Sequence, residues 1–93
     1  MNVKAILKVK HNAQQVSDNF TKRDFVATID ATTPYPQHVQ FQLSNTKCSL
    51  LDNINVGDNI DISFNLRGRE WTNPQGETKY FNTIDAWDIK KVN

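Results

Sequence analysis

The chain has 93 residues, 38% of them hydrophobic, and its 11 lysines and arginines nearly balance 10 aspartates and glutamates for a net charge of +1. That describes one small domain with a single core, without the strongly basic balance that announces a polyanion partner. No run approaches the roughly 18 apolar residues of a membrane helix, and the single cysteine, Cys48, excludes an internal disulfide and a cysteine-based zinc site.

The start, Met1-Asn2-Val3-Lys4-Ala5, lacks the apolar block of a signal peptide, so a cytoplasmic location is expected. Strand periodicity dominates the chain. Val3, Ala5, Leu7 and Val9 alternate with Lys4, Lys8 and Lys10 and predict a first strand. His11 to Asn19 is polar and reads as a loop or a fraying hairpin. Phe25, Ala27 and Ile29 alternate with Asp24, Thr28 and Asp30 in a second strand. Pro34 and Pro36 around Tyr35 cannot continue a ladder and mark a stiff turn. Val39, Phe41 and Leu43 alternate with Gln40 and Gln42 in a third strand. From Ser44 to Asn55 the alternation stops. Leu50, Leu51 and Ile54 fall at roughly helical spacing, and Ser44, Asn45 or Thr46 offers an N-cap, so one short helix is predicted there. Ile60, Ile62, Phe64 and Leu66 then form a fourth strand that runs into a turn holding Pro74 and Gly76. In the fifth strand, about Lys79 to Lys91, Ile84 and Ala86 fall on one face and Trp87 and Ile89 on the other. A bulge or strong coiling lets both sets reach the core.

Three strands, a short helix and two further strands are the layout of the OB-fold. This is an all-β, five-stranded Greek-key barrel that binds oligonucleotides and oligosaccharides. The expectation is a single such domain over residues 1–93, with the helix between the third and fourth strands. An SH3-like barrel is the rival, but it normally lacks that helix.

The candidate site lies on the last hairpin. Arg67, Arg69 and Lys79 stand beside Trp71 and Tyr80. Cations next to exposed rings suit single-stranded nucleic acid, which offers phosphates to the cations and unstacked bases to the rings. Phe20, Lys22 and Arg23 lead into the second strand, and Tyr35 is exposed by its prolines; all four join the candidate nucleic-acid-binding set. The plain alternative for each cation is a solvated surface charge, and for each ring packing at the barrel rim. Trp87 reads as core or oligomer packing, and Phe25, Phe41, Phe64 and Phe81 as barrel interior. Lys4, Lys8 and Lys10 either track a nucleic-acid backbone or keep a strand soluble. The acidic residues cluster in Asp52 to Asp61 and near Asp85 and Asp88, which permits a basic face and an acidic back. His11 and His38 are far apart and lack a partner at metal spacing. The carboxylate pairs Asp58/Asp61 and Asp85/Asp88 have nothing nearby to raise a pKa or orient a nucleophile. There is no Gly-rich phosphate loop. No cofactor, metal or catalytic group is therefore expected.

Three stretches carry a resemblance: Lys22-Arg23-Asp24-Phe25-Val26; Val39-Gln40-Phe41-Gln42-Leu43 with the later Val56-Gly57-Asp58; and Arg67-Gly68-Arg69-Glu70-Trp71 with Tyr80-Phe81-Asn82-Thr83-Ile84-Asp85-Ala86-Trp87. With them the chain resembles bacterial and phage single-stranded DNA-binding proteins. More closely, it resembles a family of short uncharacterised OB-fold proteins from Bacteroidetes and their phages. The resemblance implies binding of single-stranded DNA with little sequence preference, in support of DNA replication, recombination or repair. Proteins of the bacterial type usually end in a disordered acidic tail that recruits enzymes. This chain ends Asp88-Ile89-Lys90-Lys91-Val92-Asn93, and no such recruitment is expected. One OB-fold covers only about 4–16 nucleotides, so a homodimer or homotetramer that links several sites is expected. The alternatives are a protein-interaction module and an RNA- or oligosaccharide-binding domain.

Overall fold

The computed structural model describes residues 1–92; Asn93, the last residue of the end expected to carry no acidic tail, lies outside the described residues. Six strands and one short helix succeed one another in the order β1 (Asn2–Lys10), β2 (Gln14–Ser17), β3 (Phe20–Ile29), β4 (Gln37–Ser44), a 3-10 helix (Asn45–Leu51), β5 (Asn59–Thr72) and β6 (Thr78–Lys91). The five strands expected from alternation are all present. The sixth, β2, is the hairpin alternative for the polar segment: Gln14 and Gln15 pair with Lys22 and Thr21.

The sheet runs β1-β5-β6-β4-β3-β2, and an additional β1–β3 pairing closes it into an OB-fold barrel. β1 achieves this by dividing its length. Asn2 to Ile6 pair with β5, and Ile6 to Lys10 pair with β3 across a register shift between Leu7 and Val9. The contact of β4 with β6 is parallel, through Gln42 and Asp85. Closure leaves little open edge. It also gives the alternating apolar residues one interior: Leu7, Phe25, Ala27, Phe41, Leu43, Ile60 and Ile62 are all buried.

Two aromatic contacts organise that interior. Phe25 and Phe41 are direct partners on β3 and β4, and their rings stack at 5.2 Å with 12° between planes. Phe64 meets Phe41 edge-on at 5.6 Å. The helix plugs one end of the barrel with Cys48 and Leu51. Ser44 sits at its N-cap position with extended backbone but makes no side-chain cap bond. The Asn45 side chain turns outward instead and accepts the Thr21 backbone N–H at 3.0 Å.

Of the two devices expected for the last strand, the bulge is present. Ser63 pairs with Asp88 and Phe64 with Ala86, so Trp87 is the extra residue. Ala86 and Ile89 both reach the core as a result, while Trp87 is exposed. The core half of the core-or-oligomer expectation for Trp87 is thereby corrected: the bulge ejects the residue that alternation places inside. Phe81 is a second correction. It lies beyond the barrel rim, where no interior remains for it, and is 46% exposed.

Truncating the central ring of the aromatic cluster, Phe41→Ala, is expected to lower unfolding free energy by about 3–5 kcal/mol in a denaturant titration. Burial pushes the Cys48 thiol up from its ordinary value, partly opposed by the Arg23 guanidinium. The thiolate is the reactive form. Alkylation of Cys48 by iodoacetamide at pH 8 is therefore expected to be slow in the native protein and fast in denaturant.

Candidate nucleic-acid interface

β5 and β6 outrun the barrel. Their pairing continues from Leu66–Ile84 out to Thr72–Thr78, making a two-stranded arm. Its tip is held by Asn73, whose Oδ1 accepts the backbone N–H groups of Gln75 at 3.0 Å and Glu77 at 2.8 Å. Gly76 sits at φ +85°, where a side chain would be strained. The turn is thus ordered by its own sequence.

Side chains on a strand alternate between faces, so directly paired positions two apart share a face. Arg67–Thr83, Arg69–Phe81 and Trp71–Lys79 are such pairs. They form one face of the arm. Glu70 and Tyr80 are also paired but lie on the other face, where the Tyr80 hydroxyl donates to Glu70 Oε1 at 3.1 Å. Trp71 and Tyr80, expected to flank one ligand, are therefore on opposite faces. Trp71 is 46% exposed and Tyr80 73%.

The Arg67–Arg69 face overlooks a groove of about 660 Å³. Its near wall is Arg67, Gly68, Arg69, Phe81, Asn82 and Thr83 from the arm, with Asp85 below them. Its floor is Gln42 and Ser44 of β4, and its far wall is Phe20 and Lys22 of β3 with Val16 of β2. The groove continues along the barrel into a recess of about 300 Å³ that adds Asp24, Gln40, Phe41 and Ile84. The floor and far wall thus use the outward positions of β3 and β4, which alternate with the buried Phe25, Phe41 and Leu43, while the near wall belongs to β5 and β6.

The predicted residues divide clearly. Arg67, Arg69, Lys22 and Phe20 line the groove together. Trp71 and Lys79 continue the same face of the arm toward its tip. Arg69 lies over the Phe81 ring at 5.5 Å, a cation–π contact that holds both groups at the wall. Arg23 lies apart. Its side chain is only 11% exposed. Its Nε donates to the His11 carbonyl at 2.8 Å, and its Nη1 donates to the Cys48 carbonyl at 3.1 Å and to Asp52 Oδ1 at 2.8 Å. Those bonds tie the loop after β1, the helix and β3 together and occupy the Nε and Nη1 donors of the guanidinium. Tyr35 is 79% exposed but sits beyond Ile29 and Gln37, at the opposite end of the β3–β4 ladder from Lys22. The seven residue steps from Lys22 to Ile29, at roughly 3.3 Å each, put that end of the ladder about 23 Å away. Lys10 donates to the Ile54 carbonyl at 2.9 Å, and Lys4 lines a separate pocket of about 380 Å³ with Ile6, Thr28 and Ile60. The stripe on β1 therefore does not enter the groove.

Sequence reading missed Val16, Gln40, Gln42, Asn82 and Thr83. The signal for the glutamines is present, since residues alternating with buried Phe41 must face outward. What alternation cannot supply is the neighbour across the barrel. A basic face and an acidic back do not separate either: Asp85 and Asp24 lie in the groove beside Arg67 and Lys22. Among the described residues no group of three or more histidines, cysteines or carboxylates is placed to hold a metal ion, and no helix is long and apolar enough to cross a membrane.

A closed barrel with a groove between an extended arm and its β3–β4 face defines an OB-fold protein. Residues 2–90 match a sequence family described as Domain of unknown function (DUF3127), and the chain belongs to that family. No curated protein sequence matches the chain. Among solved structures it is similar to the mitochondrial single-stranded DNA-binding protein Rim1 of S. cerevisiae, with a TM-score of 0.73 at 10% identity over 99% of this chain and 92% of that one. It is also similar to the N-terminal domain of PriB from Thermoanaerobacter tencongensis, described as dimeric, with a TM-score of 0.68 at 17% identity over 100% of this chain and 94% of that one.

The placement of Arg23 gives a direct test. Arg23→Gln is expected to destabilise the fold by about 1–3 kcal/mol, because it leaves the part-buried Cys48 carbonyl short of a donor and unties the loop after β1 from the helix. Arg69→Gln, on the open arm, is expected to stay within about 0.5 kcal/mol of the parent. Thermal unfolding followed by circular dichroism separates the two.

Proposed function

We propose that the groove binds single-stranded DNA with little sequence preference, in support of DNA replication, recombination or repair. The observation that carries this reading is the shared face of the arm. It presents Arg67, Arg69 and Phe81 to a groove whose far wall carries Lys22 and Phe20, and it carries Trp71 and Lys79 further along the same face. Rings there serve as stacking platforms and cations meet phosphates, which is how single strands are held without reading their sequence. The likeness in fold to a mitochondrial single-stranded DNA-binding protein supports the same reading.

In this proposal Phe81 and Trp71 are the stacking residues, with Phe20 across the groove. Tyr80 serves the opposite face of the arm, and Arg23 and Tyr35 take no part in phosphate or base contact. The protein works as one non-catalytic domain, in the cytoplasm. It acts as a homodimer or homotetramer, so that several short grooves act on one strand. The dimeric description of the PriB domain favours such an assembly.

Oligo-dT titrations monitored by tryptophan fluorescence are expected to show quenching. Phe81→Ala and Trp71→Ala are each expected to weaken binding by about 1–3 kcal/mol while leaving the fold intact. Log affinity is expected to fall linearly with log salt, at a slope near 0.7 per phosphate neutralised. Duplex DNA is expected to compete poorly, because its base faces are hidden. Equal competition by duplex would remove stacking from the mechanism, and no binding at any salt would point to the protein-interaction alternative.

A further inference from the structure

The groove holds its own anions. Arg67 Nε donates to Asp85 Oδ2 at 2.8 Å, and Lys22 Nζ lies 3.7 Å from Asp24 Oδ2. The two carboxylates are not scattered. Asp24 is the register partner of Gln42 on one side, and Asp85 is its register partner on the other. They therefore flank one floor residue on adjacent strands, which are about 4.8 Å apart. Both point to the outer surface, where a phosphate must lie to reach Lys22 or Arg67. Of the three groove cations only Arg69 faces a ring instead of a carboxylate, at 5.5 Å from the Phe81 centroid.

We infer that Asp24 and Asp85 are built-in competitors of phosphate, which hold Lys22 and Arg67 in check and set the affinity of the groove below what its cations alone would give. The inference rests on the proposed groove and deepens it. A phosphate that enters must displace a carboxylate from its cation and then lie beside the displaced charge. The separation is less than the roughly 10 Å screening length at moderate salt, so the repulsion is felt. Charge alone then gives a ligand little, and the rings at the wall supply the remainder. Polyanions without exposed bases are turned away, while a single strand is held loosely enough to be released.

The isosteric variants Asp24→Asn and Asp85→Asn test this with no change in shape. Each is expected to raise affinity for oligo-dT by up to about fivefold, the range open to an exposed ion pair. Each is also expected to steepen the salt slope by about 0.7 for the cation set free. Inorganic polyphosphate, which has no bases, is expected to gain by the same factor, because the carboxylates act on phosphate and not on base. Unchanged or weaker binding of polyphosphate by folded variants overturns the inference, and does so whether or not the parent binds DNA. A loss confined to oligo-dC or oligo-dG also overturns it, since the carboxylates would then be accepting hydrogen bonds from base amino groups. Failure of oligo-dT alone, with polyphosphate gaining as expected, sinks the single-strand reading and leaves this one standing.

Discussion

The stacked pair Phe25–Phe41 fixes more of this molecule than any other contact. The two rings are direct cross-strand partners, so their burial locks the β3–β4 register over eight residue pairs. A slip by one residue would turn every side chain of a strand to the other face. Lys22, Asp24, Gln40 and Gln42 are outside because Phe25, Phe41 and Leu43 are inside. The groove floor is thus the reverse side of the core. Phe64 extends the same control to β5, since its edge contact with Phe41 sets where the arm leaves the barrel.

Near neutrality of the whole chain and a cationic site are compatible because the charges are paired locally. Arg67 with Asp85 and Lys22 with Asp24 leave the groove with weak net attraction, while Arg69 and Lys79 stay free of carboxylates among the described residues. Exposed pairs of this kind contribute little to stability. Arg23 obeys the opposite logic. Nearly enclosed and bonded to two carbonyls and a carboxylate, it closes the helix end of the barrel. Two adjacent basic residues, Lys22 and Arg23, thus take different roles because strand alternation sends one to each face.

That alternation is legible in the sequence, and with it the barrel, the helix position and the bulge near Trp87. The site is legible only in part. The common face of Arg67, Arg69 and Trp71 is visible in their spacing of two along the chain. For Tyr80, nearness to the same turn suggests the same face as Trp71. Pairing register decides otherwise, and register depends on the length of the turn: Asn73 to Glu77 places Lys79, not Tyr80, opposite Trp71. Phe81 looks like an interior residue for a related reason. No periodicity marks where a strand passes from a packed sheet into a free arm, since alternation persists after the core has ended.

The arm raises a question of its own stability. A two-stranded ribbon is marginal in water unless something covers it. Here the covering groups are few: the Arg69–Phe81 contact, the Glu70–Tyr80 bond, the Thr72–Thr78 hydroxyl pair and the Asn73-centred tip. All are local to the ribbon and none reaches back to the barrel. The arm is therefore ordered by its own pairs, and Ile84 at its base is the residue that still packs against the core. In the proposed mode of binding, a strand lies between this arm and β3. With Lys22 and Arg67 already facing Asp24 and Asp85, that mode rests on the rings of Phe81 and Trp71 more than on charge.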